Sequence, residues 1–252
     1  MIRANLVRLG QFVFRFRNWL FPVVLLLAVA IAEPHFLFGD AGWDHFMDAF
    51  GALVSGLGLM IRAVTIGFEY IVRGGRNRRV YADNLVTGGV YAQVRNPMYL
   101  GNGLIMLGIV LIINSPLFYA VSLPLTVLAY AAIIAAEEDF LRRKFGSQFD
   151  DYCRRVPRIL PRLSGFGRAI EGMEFNWRRL VVKEYGTIFI ISLTVLLATL
   201  WDDYRIVGQD ALPPGEEILL LIVLLVLLYA AAWVLKKTRK LTAERGSPDS
   251  AG

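Results

Sequence analysis

Cysteine and histidine are nearly absent from this chain. Its 252 residues include one cysteine, Cys153, and two histidines, His35 and His45. A single cysteine excludes an internal disulfide and a cysteine-rich metal site. The two histidines are read as flanking one short loop, too few for a histidine-based zinc centre, so no metal site is expected. Charge is scarce as well, at 19%, against about 25% in an ordinary soluble domain. What charge there is clusters between long apolar stretches. Hydrophobic residues make up 56% of the chain, and its mean hydropathy is +0.51. A helix needs about 20 mostly apolar residues to cross a ~30 Å hydrocarbon core, and several windows approach that length. The net charge of +6 then reads as basic loops facing anionic lipid rather than nucleic acid.

Six hydrophobic segments can be drawn, which predicts an all-α, polytopic bundle of about six transmembrane helices. They are Trp19 to Ala32, Ala49 to Phe68, Met98 to Ile113, Leu117 to Ala136, Tyr185 to Leu200 and Ile218 to Leu235. Asn114-Ser115-Pro116 is a turn cluster joining the third and fourth. The first segment also resembles a signal peptide, with Ala30-Ile31-Ala32 as a cleavage site. It is read here as a retained helix.

Orientation follows from the basic residues of the loops. With both termini inside, 25 of the 27 Lys and Arg residues lie on the cytoplasmic side. Arg62 falls within a span, and Arg205 alone lies outside. The expectation is a multi-pass protein of a cell inner membrane or endoplasmic reticulum, with both termini cytoplasmic. Three parts are expected: N-terminal helices over 1–79, a catalytic core over 80–163, and an interfacial helix with a C-terminal hairpin over 164–252.

The cytoplasmic segments carry the chemistry. Leu85-Val86-Thr87-Gly88-Gly89-Val90-Tyr91 reads as strand or turn, its paired glycines permitting positive φ and close approach of a ligand. Arg95-Asn96-Pro97-Met98-Tyr99 follows. Asn96 suits an N-cap and Pro97 a first helical position. A helix start there favours anionic groups, and Arg95 adds a fixed positive charge. The fourth segment ends in Glu137-Glu138-Asp139, acids that could hold an ammonium group. Glu138 and Arg142, one turn apart, are expected to pair. Gly146 is read as a helix stop and Ser147 as the next N-cap, with Asp150 three residues on. Phe149, Tyr152 and Val156 then share one face of a short helix.

These residues resemble a known family. The run from Leu85 to Tyr99, followed after one hairpin by Glu137-Glu138, Phe145-Gly146, Tyr152 and Val156-Pro157-Arg158, is similar to the isoprenylcysteine carboxyl methyltransferases and phospholipid N-methyltransferases. The likeness covers about Val80 to Leu163. It implies an S-adenosylmethionine site formed by the third and fourth spans and the cytoplasmic piece after them, with a lipophilic substrate entering from the bilayer. Carried across, the family pattern places cofactor contacts at Leu85, Val86, Gly88, Tyr91, Arg95, Tyr99 and Glu138. Asn84 and Asn96 stand where relatives usually carry histidine, so the same positions hold residues that hydrogen-bond but do not titrate near neutral pH. The candidate catalytic residues are Arg95, Glu137 and Glu138, with Glu137 or Glu138 as proton acceptor should the substrate be an amine.

Arg62, inside a span, is a candidate ligand for a substrate phosphate or carboxylate, with snorkelling to the cytoplasmic surface as the alternative. Phe166 to Lys183 reads as one interfacial helix with Ile170, Met173, Trp177 and Leu180 on its buried face. Gly51, Ser55 and Gly58 read as a close-packing stripe. The expected function is methylation of a lipid or lipid-linked molecule, a phospholipid amine or a prenyl-cysteine carboxylate. A nicotinamide-dependent membrane reductase and a catalytically silent membrane scaffold are the alternatives. The oligomeric state is left open.

Overall fold

The computed structural model describes residues 2–31, 41–68, 82, 84–162, 164–206, 208 and 212–238, and the side chains of all of these but 2, 18–31, 41 and 206. Every long element among them is a helix: α1 (Ile2–Ile31), α2 (Ala41–Phe68), α3 (Pro97–Ile113), α4 (Pro116–Phe145), α5 (Ser147–Arg155), α6 (Phe166–Ile170), α7 (Trp177–Ile206) and α8 (Gly215–Lys237). The expected all-α bundle is what forms. The helices α2, α4, α7 and α8 are long and apolar enough to cross a membrane, and α3 is a shorter apolar helix.

The hairpin between α3 and α4 falls where the sequence puts it. Asn114 takes the left-handed conformation at φ 43°, and Pro116 opens α4, where its missing N–H costs nothing. Other boundaries move. α1 is already helical at Ile2 rather than starting near Trp19, and α2 begins at Ala41 rather than Ala49. Lengthening α2 brings His45 into a helix instead of a loop; His35 lies outside the described residues. The arginines from Arg73 to Arg79 and the position of Gln209 in the loop before α8 also lie outside them. The expected interfacial helix is not one helix. α6 ends at Ile170, Gly172 turns at φ 73°, and Trp177 starts α7, the long helix that also contains the fifth apolar segment.

Small residues set the closest contacts. α2 and α3 run antiparallel, with Gly51 facing Gly108 and Gly58 facing Gly101. A Cβ on Gly51 or Gly58 would lie 2.5 Å from the opposing carbonyl oxygen. Between them the Ser55 hydroxyl donates to the Ile105 carbonyl at 3.2 Å. The stripe read from the sequence is therefore a real interface, and α3 answers it with glycines of its own. We expect Gly58→Leu to lower the melting temperature of the detergent-solubilised chain, since overpacking of this kind costs about 1–3 kcal/mol. Gly56 faces outward with open space around it, so Gly56→Leu should leave the melting temperature unchanged. Equal losses in the two variants would mean that the α2–α3 contact is not what the glycines serve.

On the other side, Gly10 of α1 sits against the Ala132 carbonyl of α4, and Val13 and Phe14 pack on Ile133. The centre of the bundle is a cluster of Ile105, Ile109, Val110, Ile112, Ile113, Phe118 and Ala198 from α3, α4 and α7. α8 packs on α7, with Tyr229 meeting Tyr185 and Phe189. Most of its leucines are exposed, as a hydrocarbon-facing helix requires.

Candidate active site

The site is built where the start of α3 meets the end of α4 and the short helix α5. The chain approaches α3 through a 3-10 turn, Gly89–Ala92, entered by Gly89 at φ 54°. Of the two glycines, Gly89 uses its conformational freedom, while Gly88 is extended. Residues 91–95 are then fixed from three directions. The Tyr152 hydroxyl donates to the Tyr91 carbonyl at 2.8 Å, the Arg95 amide donates to the Pro157 carbonyl at 2.9 Å, and the Arg162 amide donates to the Gln93 carbonyl at 3.0 Å. Leu85 packs on Phe149, Tyr152 and Val156, the face of α5 expected from the sequence. Burial raises the pKa of the Tyr152 phenol, so it stays a donor.

α4 hands over to α5 through one residue. Gly146, at φ 54°, caps the end of α4 and precedes the first residue of α5. Ser147 is therefore not an N-cap but the first helical residue. Asp150 does not close a capping box; it takes the Arg142 guanidinium at 2.7 Å. That pairing corrects the expected Glu138–Arg142 contact.

Glu138 instead lies between two other arginines. Arg95 Nη1 reaches Oε1 at 2.9 Å, and Arg158 reaches Oε1 at 3.1 Å and Oε2 at 3.0 Å. Arg95 and Glu138 are largely buried, at 14% and 15% side-chain exposure, whereas Arg158 is open at 42%. The same Arg95 Nη1 lies 2.8 Å from Cys153 Sγ, while its buried Nε has no hydrogen-bond partner. Burial raises the pKa of the Cys153 thiol above its usual range, which makes it a poor nucleophile near neutral pH. Asn96 occupies the N-cap position of α3 but its side chain makes no cap hydrogen bond. Its amide donates to the Arg158 carbonyl at 3.0 Å, tying the start of α3 to the segment after α5.

One turn into α3, the Tyr99 hydroxyl donates to Glu137 Oε1 at 2.6 Å. The Arg17 charge on α1 acts on both groups. Glu137 and Glu138, adjacent in sequence, thus face different neighbours. Asp139 pairs with the exposed Arg143.

The structure brings Arg95, Asn96, Tyr99, Glu137 and Glu138 together and adds Arg158 and Cys153. Arg158 was legible only as the last residue of Val156-Pro157-Arg158. Tyr91 reaches the site through its backbone carbonyl, and Leu85 through α5. Val86 is half-buried, while Asn84 and Gly88 are exposed. Arg62 stands apart. It is buried within α2, and its guanidinium reaches Glu184 of α7 at 2.7 Å and 2.9 Å, Thr187 at 3.4 Å, and Asn102 of α3. Its charge is balanced by a carboxylate of the chain itself, and it does not snorkel.

A family model described as phospholipid methyltransferase matches residues 50–148, from α2 to the first turn of α5. The match includes Arg95, Tyr99, Glu137 and Glu138 and stops short of Arg158. The nickel-cobalt-cadmium resistance protein NccN of Alcaligenes xylosoxydans xylosoxydans is 32% identical over 158 residues, 63% of this chain and 70% of the relative. The cobalt-zinc-cadmium resistance protein CzcN of Cupriavidus metallidurans is 32% identical over 159 residues, 62% of this chain and 68% of the relative. No solved structure matches. The helical bundle, the arginine-flanked glutamate at the end of α4 and this match agree, and the chain belongs to the phospholipid methyltransferase family of integral membrane proteins.

Proposed function

We propose that this protein is an S-adenosylmethionine-dependent methyltransferase acting on a lipid or lipid-linked acceptor at the membrane surface. The observation that carries the reading is the convergence of Arg95, Glu138 and Arg158 beside the Tyr99–Glu137 pair. The residues fit an amino-acid-like cofactor, which brings one ammonium and one carboxylate. Glu138 would hold the first, Arg95 and Arg158 the second, and the partnerless Arg95 Nε offers a donor for it. When bound, S-adenosylmethionine supplies a methyl carbon already activated by a sulfonium.

The protein's task is then to align the acceptor and exclude water. Glu137 takes a proton from an amine acceptor, with Tyr99 holding its carboxylate in place. A carboxylate acceptor needs no base, and Glu137 would then serve only to position it. Asn84 and Asn96, at the positions of family histidines, leave Glu137 as the titratable group nearest the acceptor. The two curated relatives are named for metal resistance, so the acceptor is best sought in lipid extracts of cells grown with and without nickel or cobalt.

Calorimetry with S-adenosylmethionine and with NADPH tests the reading. Binding of the first alone is expected, with Arg95→Ala weakening it and Tyr99→Phe weakening it less. Binding of NADPH alone would make the protein a reductase, and binding of neither a scaffold.

The same reading places both termini and α5 in the cytoplasm. Lys236 and Lys237 at the end of α8 lie over Tyr185 and Trp233, a basic and aromatic end typical of an inner interface. In a Cys153→Ala background, a cysteine at Gln148 should be shielded from an impermeant maleimide in intact cells and one at Glu216 labelled. The reverse pattern would invert the topology.

A further inference from the structure

The end of the bundle opposite Arg95 holds a second cluster. Asp44 and Asp48 on α2 face Asp202 on α7, and their carboxylate oxygens lie within 4.8 Å of one another. All three side chains are buried, Asp202 completely. His45, Asp48 and Asp203 form an adjoining group within the same limit, with His45 exposed to solvent. Asp48 belongs to both groups, so the five side chains make one continuous set.

Two observations separate this cluster from an ordinary acidic helix end. Neither carboxylate oxygen of Asp202 has a hydrogen-bond partner, and Asp48 Oδ1 also lacks one. Asp44 accepts from the Asn114 amide at 3.0 Å. Buried carboxylates without donors are costly unless a cation or a proton meets them. Position adds to the problem. Asp44 lies in the first turn of α2, where the helix dipole favours an acid. Asp202 and Asp203 lie near the carbonyl end of α7, where it opposes one.

We propose that this cluster binds a divalent first-row transition-metal cation. Carboxylate oxygens alone suit Mg2+ or Ca2+, and an imidazole beside them shifts preference toward Co2+, Ni2+ or Zn2+. Asp202 and Asp48 are the inner ligands. His45 and Asp203, at the solvent edge, complete the set and admit the ion. The sequence places His45 at the edge of a loop; in the structure it is helical and lies within reach of Asp203 on α7.

The site stands independently of the methyl-transfer reading. The test is titration of Co2+ into the full-length, tag-free protein in detergent, following the visible absorption of the ion. Saturable binding is expected, displaced by Zn2+ or Ni2+ but not by Mg2+. Asp202→Asn and Asp48→Asn should each weaken it by at least roughly 10-fold, and His45→Gln should change the cobalt spectrum. If Asp202→Asn does not fold, the rim variants His45→Gln and Asp203→Asn carry the test and must still weaken binding. Affinity for S-adenosylmethionine should be the same in all four. Absence of saturable Co2+ binding, or affinity unmoved by all the folded variants, overturns the proposal. So does an Asp202→Asn protein that is merely more heat-stable, because the buried acid would then hold only a proton.

Discussion

Replacing Glu138 by glutamine should lower affinity for S-adenosylmethionine by roughly 10- to 150-fold, the range expected for losing a charge-assisted contact. Glutamine keeps the shape and removes the charge that Arg95 and Arg158 both face, so two cations would be left together with one fewer anion. Asp139→Asn is the matched control. It removes an equal charge one residue on, about 100° round the helix, where the lost partner is the surface residue Arg143. Calorimetry and thermal unfolding of the two variants side by side decide the matter. Equal affinities in both would mean that the acidic end of α4 only terminates a helix, and Glu138 would leave the mechanism.

Arg62→Met should be the most destabilising single change in the membrane-spanning part, by about 3–5 kcal/mol. The Arg62 and Glu184 side chains are 7% and 2% exposed. Removing one partner leaves the other charge buried and uncompensated. The double variant Arg62→Met/Glu184→Met should recover most of the loss, because two apolar side chains pack where two charges had to be desolvated. Unfolding of the detergent-solubilised chain measures both. A single variant as stable as the parent but deficient in turnover would restore Arg62 to the role the sequence suggested, a ligand for the substrate.

Why that role was read from the sequence is instructive. An arginine in an apolar segment says that something must answer its charge; it does not say what. The answer, Glu184, lies 122 residues away, between the interfacial segment and the fifth apolar segment as drawn, and belongs to neither. The pair appears only once α7 is seen to start at Trp177. The same limit explains Glu138. Spacing offered Arg142 as its neighbour, but Arg142 turns to Asp150 and the partners come from the start of α3 and from beyond α5. Local signals fared better. The Asn-Ser-Pro turn, the stripe of Gly51, Ser55 and Gly58, and the shared face of Phe149, Tyr152 and Val156 each depend on periodicity or on one residue's backbone preference. The carboxylate cluster is the extreme case: its two halves come from the first two turns of α2 and the end of α7, and no spacing in the sequence relates them.

On the proposed function, the length of α4 bears on which acceptors the site could reach. From Pro116 to Glu138 the helix rises about 33 Å, close to the ~30 Å of a bilayer's hydrocarbon core. With Pro116 at one face of the hydrocarbon core and the helix upright, Glu137 and Glu138 would stand where acyl chains give way to headgroups, and Arg142 to Lys144 in the water beyond. An acceptor meeting Glu137 at that height would keep its tail among lipids while its polar end met the protein. A fully water-soluble amine lacks the anchor that would hold it at this depth, and a hydrocarbon without a polar end would lie too deep. On the proposed function the helix would act as a ruler, selecting an acceptor by how far its reactive atom stands from the midplane.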